Sequence, residues 1–587
     1  MPANMAFSRS FAVALSMVPL VVACDERAMH REAPHADAAV ARPDRCLSIV
    51  AWNDMHGQLT PDEALLDTGR VPAGGVVAVA DQVAAIRDTG DAVVVLDAGD
   101  MFTGPLESTI AEGAPIVDAY DVIGVDAVAL GNHDFDFGPV GYARVVAPAG
   151  VGDEAGDDGP RGALLQRMAT AHYPFLSANI HRAGGAAPGW AHHSPSARID
   201  RDGWHVGVVG YTTKETPTTT LKPNVADLEF ADAAPTSIAT AIRALRASGS
   251  APVVLLAHAS IEGDLPQRLD DPSDPDGVKR VGELATLLSS LGEDLPDVVV
   301  AGHRHAWMLG RLRGVPIVSS DQHGVGLARI RYCPGERAPE LQSIERRVAM
   351  ASTPPSSALG VKVQEAIAPW IEKVKDEANA PVATLPKTCL PQGLNGTAFG
   401  EQVARAVSER VGDAAPAPNG VPVVALVNSG GLRAPLLSGV LRFSDLFAAF
   451  PFENAVASCS TTKAGLTRIV ENAIKRPSVR ERFPFAIAGA RVVLKRRGDG
   501  GLDLVRMELS TDEKKKPAGK KGATDDAAIW LAIPDFLLWG GDGLMEGVTC
   551  AKSSTSATRV RDAWRAVLAR EQGGCDGAPK NIVVEGP

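Results

Sequence analysis

The chain has 587 residues, 45% of them hydrophobic, and 58 Lys and Arg stand against 70 Asp and Glu for a net charge of −12. That much apolar material builds a large globular core, and the acidic balance argues against a nucleic-acid groove or a polybasic membrane patch. Beyond the N-terminus no apolar run is long enough to span a bilayer.

At the start, Arg9 precedes the apolar stretch FAVALSMVPLVVA (11–23), which is too short to cross a membrane and has the length of a signal peptide. It ends in Val21-Val22-Ala23-Cys24 and so resembles a bacterial lipoprotein signal, which implies a lipid on Cys24. The alternative is an ordinary secretory signal cut after alanine. Either way the chain is predicted to be exported to the periplasm or cell envelope, and a lipid on Cys24 would be its one link to the membrane. Residues 24–45 carry no periodicity and read as a flexible tether. Apart from Cys24 there are six cysteines, an even number in an oxidising compartment, so up to three disulfides are expected with no pairing implied.

From 46 to 345, apolar runs alternate with amphipathic stretches. CLSIVAWND (46–54), DAVVVLDAGD (91–100), VDAVALGNHD (125–134), HVGVVGYTT (205–213), APVVLLAHAS (251–260) and PDVVVAGHRHAW (296–307) are strands covered on both faces, each ending in polar residues. Helical spacing appears at 74–90 and 236–249. Gly- and Asp-rich stretches at 150–162 and 263–278 read as surface insertions. VKVQEAIAPWIEKVKDEAN (361–379) reads as a connecting helix with Pro369 placed to kink it, and residues 346–380 as a linker. The remainder, 381–587, mixes strands and helices into a second α/β domain, and its Lys-rich run at 512–526 reads as a solvated loop.

In α/β sheets, ligands bind beyond the carboxyl ends of the strands. The polar residues gathered there are Asp54, His56, Asp100, Asn132, His133, His258, His303 and His305. Carboxylates, imidazoles and an amide oxygen suit first-row divalent ions, and this set is large enough for two, with an aspartate bridging.

WNDMHG, DAGDMFTG, GNHDFDFG, LLAHAS and AGHRH resemble, in the same order, the motifs of calcineurin-like metallophosphoesterases. ANI (178–180) and GYTTKETPTTT (210–220) further resemble the 5′-nucleotidase / UDP-sugar hydrolase branch of that family. The resemblance implies an N-terminal β-sandwich flanked by helices. Asp54, His56, Asp100 and His305 would hold one ion, and Asp100, Asn132, His258 and His303 the other, the metal being Mn²⁺, Zn²⁺, Fe²⁺ or Co²⁺. His133 would face the substrate with Asp136 orienting it, and a metal-activated water would attack phosphorus.

NSGGLRAPLLSG (428–439), FPFEN (450–454) and IPDFLLWGGDG (533–543) resemble the C-terminal domain of the same family. That resemblance implies that Phe452 and Phe536 sandwich the base, that Asn454 and Asp542 bind base or ribose, and that Arg433 grips phosphate. The chain departs from the pattern twice. Lys387 is the cation available near a position where the family carries arginine, and Leu544 follows GGDG in place of an aromatic. The expected activity is hydrolysis of nucleotides to nucleoside and phosphate by a monomer. Its rivals are a 2′,3′-cyclic-nucleotide phosphodiesterase/3′-nucleotidase, a UDP-sugar hydrolase, a thiosulfohydrolase and a non-catalytic binding lipoprotein. The resemblance also implies rotation of the second domain about the connecting helix, which would carry the base site away from the metal site or towards it.

Overall fold

Residues 47–52, 92–97, 127–129 and 175–176 run side by side as parallel strands, and residues 204–212, 253–258, 298–301 and 315–319 do the same in a second sheet. The computed structural model describes residues 43–585 except 67–68, 142–158, 232–233, 262–281, 392–396, 477–482, 499, 511–523 and 572–580. The signal peptide, Cys24, most of the tether, most of both surface insertions, most of the Lys-rich run and Cys575 therefore lie outside the described residues. Residues 42–587 form one compact unit.

The first sheet has seven strands and the second six, with antiparallel strands at their edges. Side chains alternate along each strand, and the alternation explains the layering. Leu47, Ile49 and Ala51 pack with Val206, Val208, Val254 and Leu256 into a core between the two sheets. Their neighbours Val50 and Trp52 face the other way, onto the helices Gly75–Arg87 and Ala114–Ile123. On the second sheet Val209, Tyr211, Val253 and Leu255 face the helices Ala234–Ala247 and Glu283–Ser290. A strand buried on both faces has no polar face, which is why these segments are nearly continuous apolar runs. The expected helix-flanked sandwich is the observed one.

The connecting helix runs Ala358–Asn379 and continues through Pro369 as one element. Its N-cap Ser357 accepts a hydrogen bond from the Gly360 N–H, and Asp81 on the 75–87 helix accepts from both Ser356 and Ser357 N–H. Beyond it, a five-stranded mixed sheet ordered 485–488, 423–428, 528–534, 455–462 and 552–559 is covered by the helices Ala398–Ala414 and Val560–Glu571 on one face. The helix Lys463–Ile474 covers the other face.

Disulfides join Cys46 to Cys333 and Cys459 to Cys550, and Cys389 is also disulfide-bonded. The first follows from sheet register. Leu47 pairs with Tyr332 across antiparallel strands, which sets Cys46 beside Cys333. Among the described residues no helix is long and apolar enough to cross a membrane.

Candidate active site

Asp54, Asp100 and Asn132 follow the strands Leu47–Trp52, Ala92–Asp97 and Ala127–Ala129 of the first sheet. From the second sheet, His258 closes Val253–His258, while His303 and His305 follow Val298–Ala301. The chain must turn sharply to aim these side chains back at one point. Asp54, His56, Asp100, His303 and His305 all take the left-handed backbone conformation, with φ of 52°, 47°, 61°, 79° and 56°. That conformation is uncommon outside glycine, and clusters of it mark functional sites. Gly131, just before Asn132, is needed for another reason: a Cβ there would lie 2.2 Å from Asp100 Oδ1.

Two groups that could each hold a metal ion result, Asp54 with His56 and His305, and Asp100 with His258 and His303. The Asp100 carboxylate stands between them. Its Oδ2 is 3.0 Å from His258 Nε2 and 3.8 Å from His56 Nε2, while Oδ1 accepts the His133 backbone N–H at 2.7 Å. Asp54 Oδ1 lies 3.3 Å from His305 Nε2 and 4.0 Å from His258 Nε2.

The polar atoms at the centre fit metal ions better than each other. Asp54 Oδ1, Asp100 Oδ2, Asn132 Oδ1 and His258 Nε2 are buried and lack a hydrogen-bond partner, although His258 and Asp100 approach closely. Such orphaned atoms are costly unless something binds them. The Nε2 atoms of His56 and His305 lie 3.0 Å apart, and because His56 Nδ1 donates to Thr103 O, the Nε2 lone pair of the neutral His56 ring faces the centre, where a cation can take it. In His56 and His258 the second nitrogen is already fixed by a backbone carbonyl: His56 Nδ1 meets Thr103 O, and His258 Nδ1 meets Ala98 O.

Charge states at His303, His56, Asp54 and Asp100 agree with a ligand role, whereas a metal at His258 would have to displace a proton. Burial, reinforced by His258, pushes the His303 imidazole down to about 3, and burial with His305 depresses His56. Burial works against ionisation of Asp54 and Asp100, yet the surrounding imidazoles (His305 and His258 at the first, His258 and His133 at the second) hold both carboxyls below the usual range. At His258 burial is outweighed by Asp100, which holds the imidazole up at about 10. Asp134 plays a different part. It accepts the N–H groups of Asp100, Met101 and Gly131, so it fastens two ligand-bearing turns together.

His133 Nδ1 meets Asp136 Oδ2 at 2.8 Å, and Asp136 Oδ1 accepts the Thr220 hydroxyl. Burial disfavours charge at His133, but Asp136 and Asp100 outweigh it and raise the imidazole above its ordinary value. Its Nε2 is 2.7 Å from Arg433 Nη2. A guanidinium always donates, so Nε2 accepts in this contact and the ring is neutral there. An anion accepting from both groups would let His133 carry the proton that its carboxylates favour.

Arg433 comes from the second α/β region, as does Phe452, whose ring lies 5.4 Å from His133 and 5.1 Å beneath the Arg433 guanidinium. The base-binding candidates and the candidate metal ligands thus meet in one cleft of about 970 Å³. Phe536, Asn454 and Asp542 line it too. Asn454 Nδ2 donates to Asp535 Oδ1, while Asp542 accepts from Asn428 Nδ2 at 3.0 Å and pairs with Arg476. Asn428, Gly430, Thr219 and Thr220 line the cleft without having been singled out from sequence. Asn428 and Gly430 lie inside the quoted NSGG stretch, and the two threonines inside the quoted 210–220 segment, so the signal was present. Lys387 is not among the residues lining the cleft.

A family model described as the 5′-nucleotidase C-terminal domain matches residues 380–548. The 5′-nucleotidase of Bos taurus is 25% identical over 521 residues, covering 85% of this chain and 83% of its own length. The "Probable 5′-nucleotidase" of Treponema pallidum is 25% identical over 583 residues, 88% of this chain and 90% of its own. In fold, the chain is similar to the crystal structure of a 5′-nucleotidase precursor from Thermus thermophilus, with a TM-score of 0.71 at 19% identity over 92% of this chain and 99% of that one.

Proposed function

We infer that this chain, which belongs to the 5′-nucleotidase family, hydrolyses nucleotides to nucleoside and phosphate with two divalent ions bound at its strand ends. The observation that carries the reading is the meeting at His133. A carboxylate-held imidazole, a guanidinium and an aromatic ring converge beside two metal-ligand groups. That is what a nucleotide needs, because its phosphoryl group must reach the ions while its base stays on a ring.

The roles follow from position. Asp54, His56, Asp100 and His305 would hold one ion, and Asp100, Asn132, His258 and His303 the other. Bound there, the ions supply Lewis-acid activation of water and offset charge on the phosphoryl group. Arg433 and His133 both address the phosphoryl oxygens, and His133, kept charged by Asp136, stabilises the departing nucleoside oxygen. Phe452 and Phe536 take the two faces of the base, and Asp542 and Asn454 approach base or ribose. We assign residues 46–345 to the phosphoesterase domain, 346–380 to the linker and 381–587 to the substrate domain. One chain supplies every one of these groups, in keeping with a monomer.

The test is turnover of AMP, 3′-AMP, 2′,3′-cyclic AMP and UDP-glucose before and after chelation and re-addition of Mn²⁺, Zn²⁺ or Co²⁺. AMP should be the best of the four and every activity should vanish with the metal. Turnover of cyclic AMP alone would replace this reading with the phosphodiesterase one. In the same assay His133→Ala should keep its metal while kcat falls on the order of 10²–10⁴-fold. Loss of metal from that variant would show that the roles are misassigned.

We further propose that the chain is exported and held by lipid on Cys24. The apolar run ending in Cys24 supports this, as do disulfides of a kind that persist outside the cytoplasm. Mass spectrometry of the mature N-terminus should find a diacylated or triacylated cysteine; an N-terminus without lipid, such as free Cys24 after cleavage at Ala23, would overturn the lipid anchor.

A further inference from the structure

Near His56 a second imidazole is held by a carboxylate in the way His133 is. His323 Nδ1 meets Asp62 Oδ2 at 2.6 Å, and the His323 ring stands 6.2 Å from the His56 ring at 83°. The His133 ring is 5.5 Å from the same His56 ring, with its own Nδ1 2.8 Å from Asp136. Both pairs line the one cleft. His323 also has the placement of the ligands. It lies just beyond Val315–Ser319, a parallel strand of the second sheet that ends at the same edge as 298–301. Its backbone is left-handed, φ 60° and ψ 19°, and its N–H donates to Asp54 O at 2.8 Å.

A histidine that merely tied this loop to the Asp62–Leu66 strand would not need to line the cleft. Asp62 engages Nδ1, and among the described residues Nε2 has no partner. We propose that His323 is a substrate-binding residue: paired with Asp62, it donates from Nε2 to an oxygen of the phosphoryl group that the ions hold. The proposal rests on the phosphohydrolase reading above. It makes the phosphoryl site one lined by two carboxylate-held imidazoles, His133 towards the nucleoside side with Arg433 and Phe452, and His323 on a loop fastened to Asp54.

The test uses the full chain, metal-loaded, with inorganic phosphate as a probe that has no leaving group. In His323→Ala the metal content should match wild type, calorimetric affinity for phosphate should fall about tenfold or more, and KM should rise by a similar factor for both AMP and p-nitrophenyl phosphate. His323→Gln keeps an N–H donor at comparable reach and should recover part of the loss; Asp62→Asn should lose less than His323→Ala and in the same direction. Unchanged phosphate affinity in His323→Ala would overturn the proposal. So would a loss of metal or of melting temperature that His323→Gln does not relieve, since that is the signature of a structural tie. If the wild type turns over no nucleotide but His323→Ala still weakens phosphate binding, the nucleotide reading fails and the role of His323 stands.

Discussion

Asp100→Asn should abolish hydrolysis in every divalent metal, lowering turnover by on the order of 10³-fold or more, and should strip metal from both ligand groups at once. The substitution isolates one feature. Asparagine keeps the volume of aspartate and keeps an oxygen for the His133 N–H that Oδ1 now accepts, so the turn carrying Asn132 and His133 has no reason to move. It removes the charge on Oδ2, the buried atom without a hydrogen-bond partner that stands 3.0 Å from His258 and 3.8 Å from His56. Asp54 Oδ1 approaches the second group less closely, 4.0 Å from His258 Nε2. Elemental analysis after dialysis should find fewer than two ions per chain, and the rise in melting temperature that metal gives the wild type should shrink, because a ligand stabilises only in proportion to its binding. Near wild-type turnover with any ion would remove Asp100 from its place between the groups.

The candidate ligands could be read from sequence because of where they stand. A strand buried on both faces has no polar residue to spare, so Asp54, Asp100, Asn132 and His258 stand out as soon as their apolar runs stop. His323 escaped the same test. Its strand is short and carries Pro316, so the run GVPIVSS does not read as a strand, and the polar cluster after it reads as a turn. Asp62 is worse placed, on a five-residue strand paired with another five-residue strand. The strands Gly326–Cys333 and Glu340–Val348 went unread although buried Ala328, Ile330 and Tyr332 alternate with Arg329 and Arg331, a period-2 pattern obscured by its charges. Disulfide pairing needed the register of Leu47 against Tyr332, which no local spacing carries. Nor could the sequence say whether the base site faces the metals; that depends on how one half of the chain packs on the other, and the Arg433–His133 contact answers it.

That contact also separates the two phenylalanines, which the sequence treats as equals. Phe536 lies against Gly541, where a Cβ would come within 2.5 Å of the ring, so one face of Phe536 is packed on bare backbone and the other is left to the cleft it lines. Phe452 instead sits 5.1 Å under the Arg433 guanidinium and 5.4 Å from His133. Phe536→Ala should therefore raise KM for AMP about tenfold to a hundredfold, the worth of one stacked base at roughly 1–3 kcal/mol, and leave p-nitrophenyl phosphate hydrolysis unchanged. Phe452→Ala should cost AMP at least as much. It should also slow the small ester, because Arg433 loses the ring that orients it; a cation–π contact of about 0.5–1 kcal/mol predicts a loss of about two- to fivefold. Steady-state kinetics of both variants on both substrates decide the matter. Equal losses on the two substrates in Phe536→Ala would show that this ring supports the fold of the cleft and does not hold a base. A Phe452→Ala variant that spares the small ester would show that Arg433 reaches the phosphoryl group without the ring beneath it.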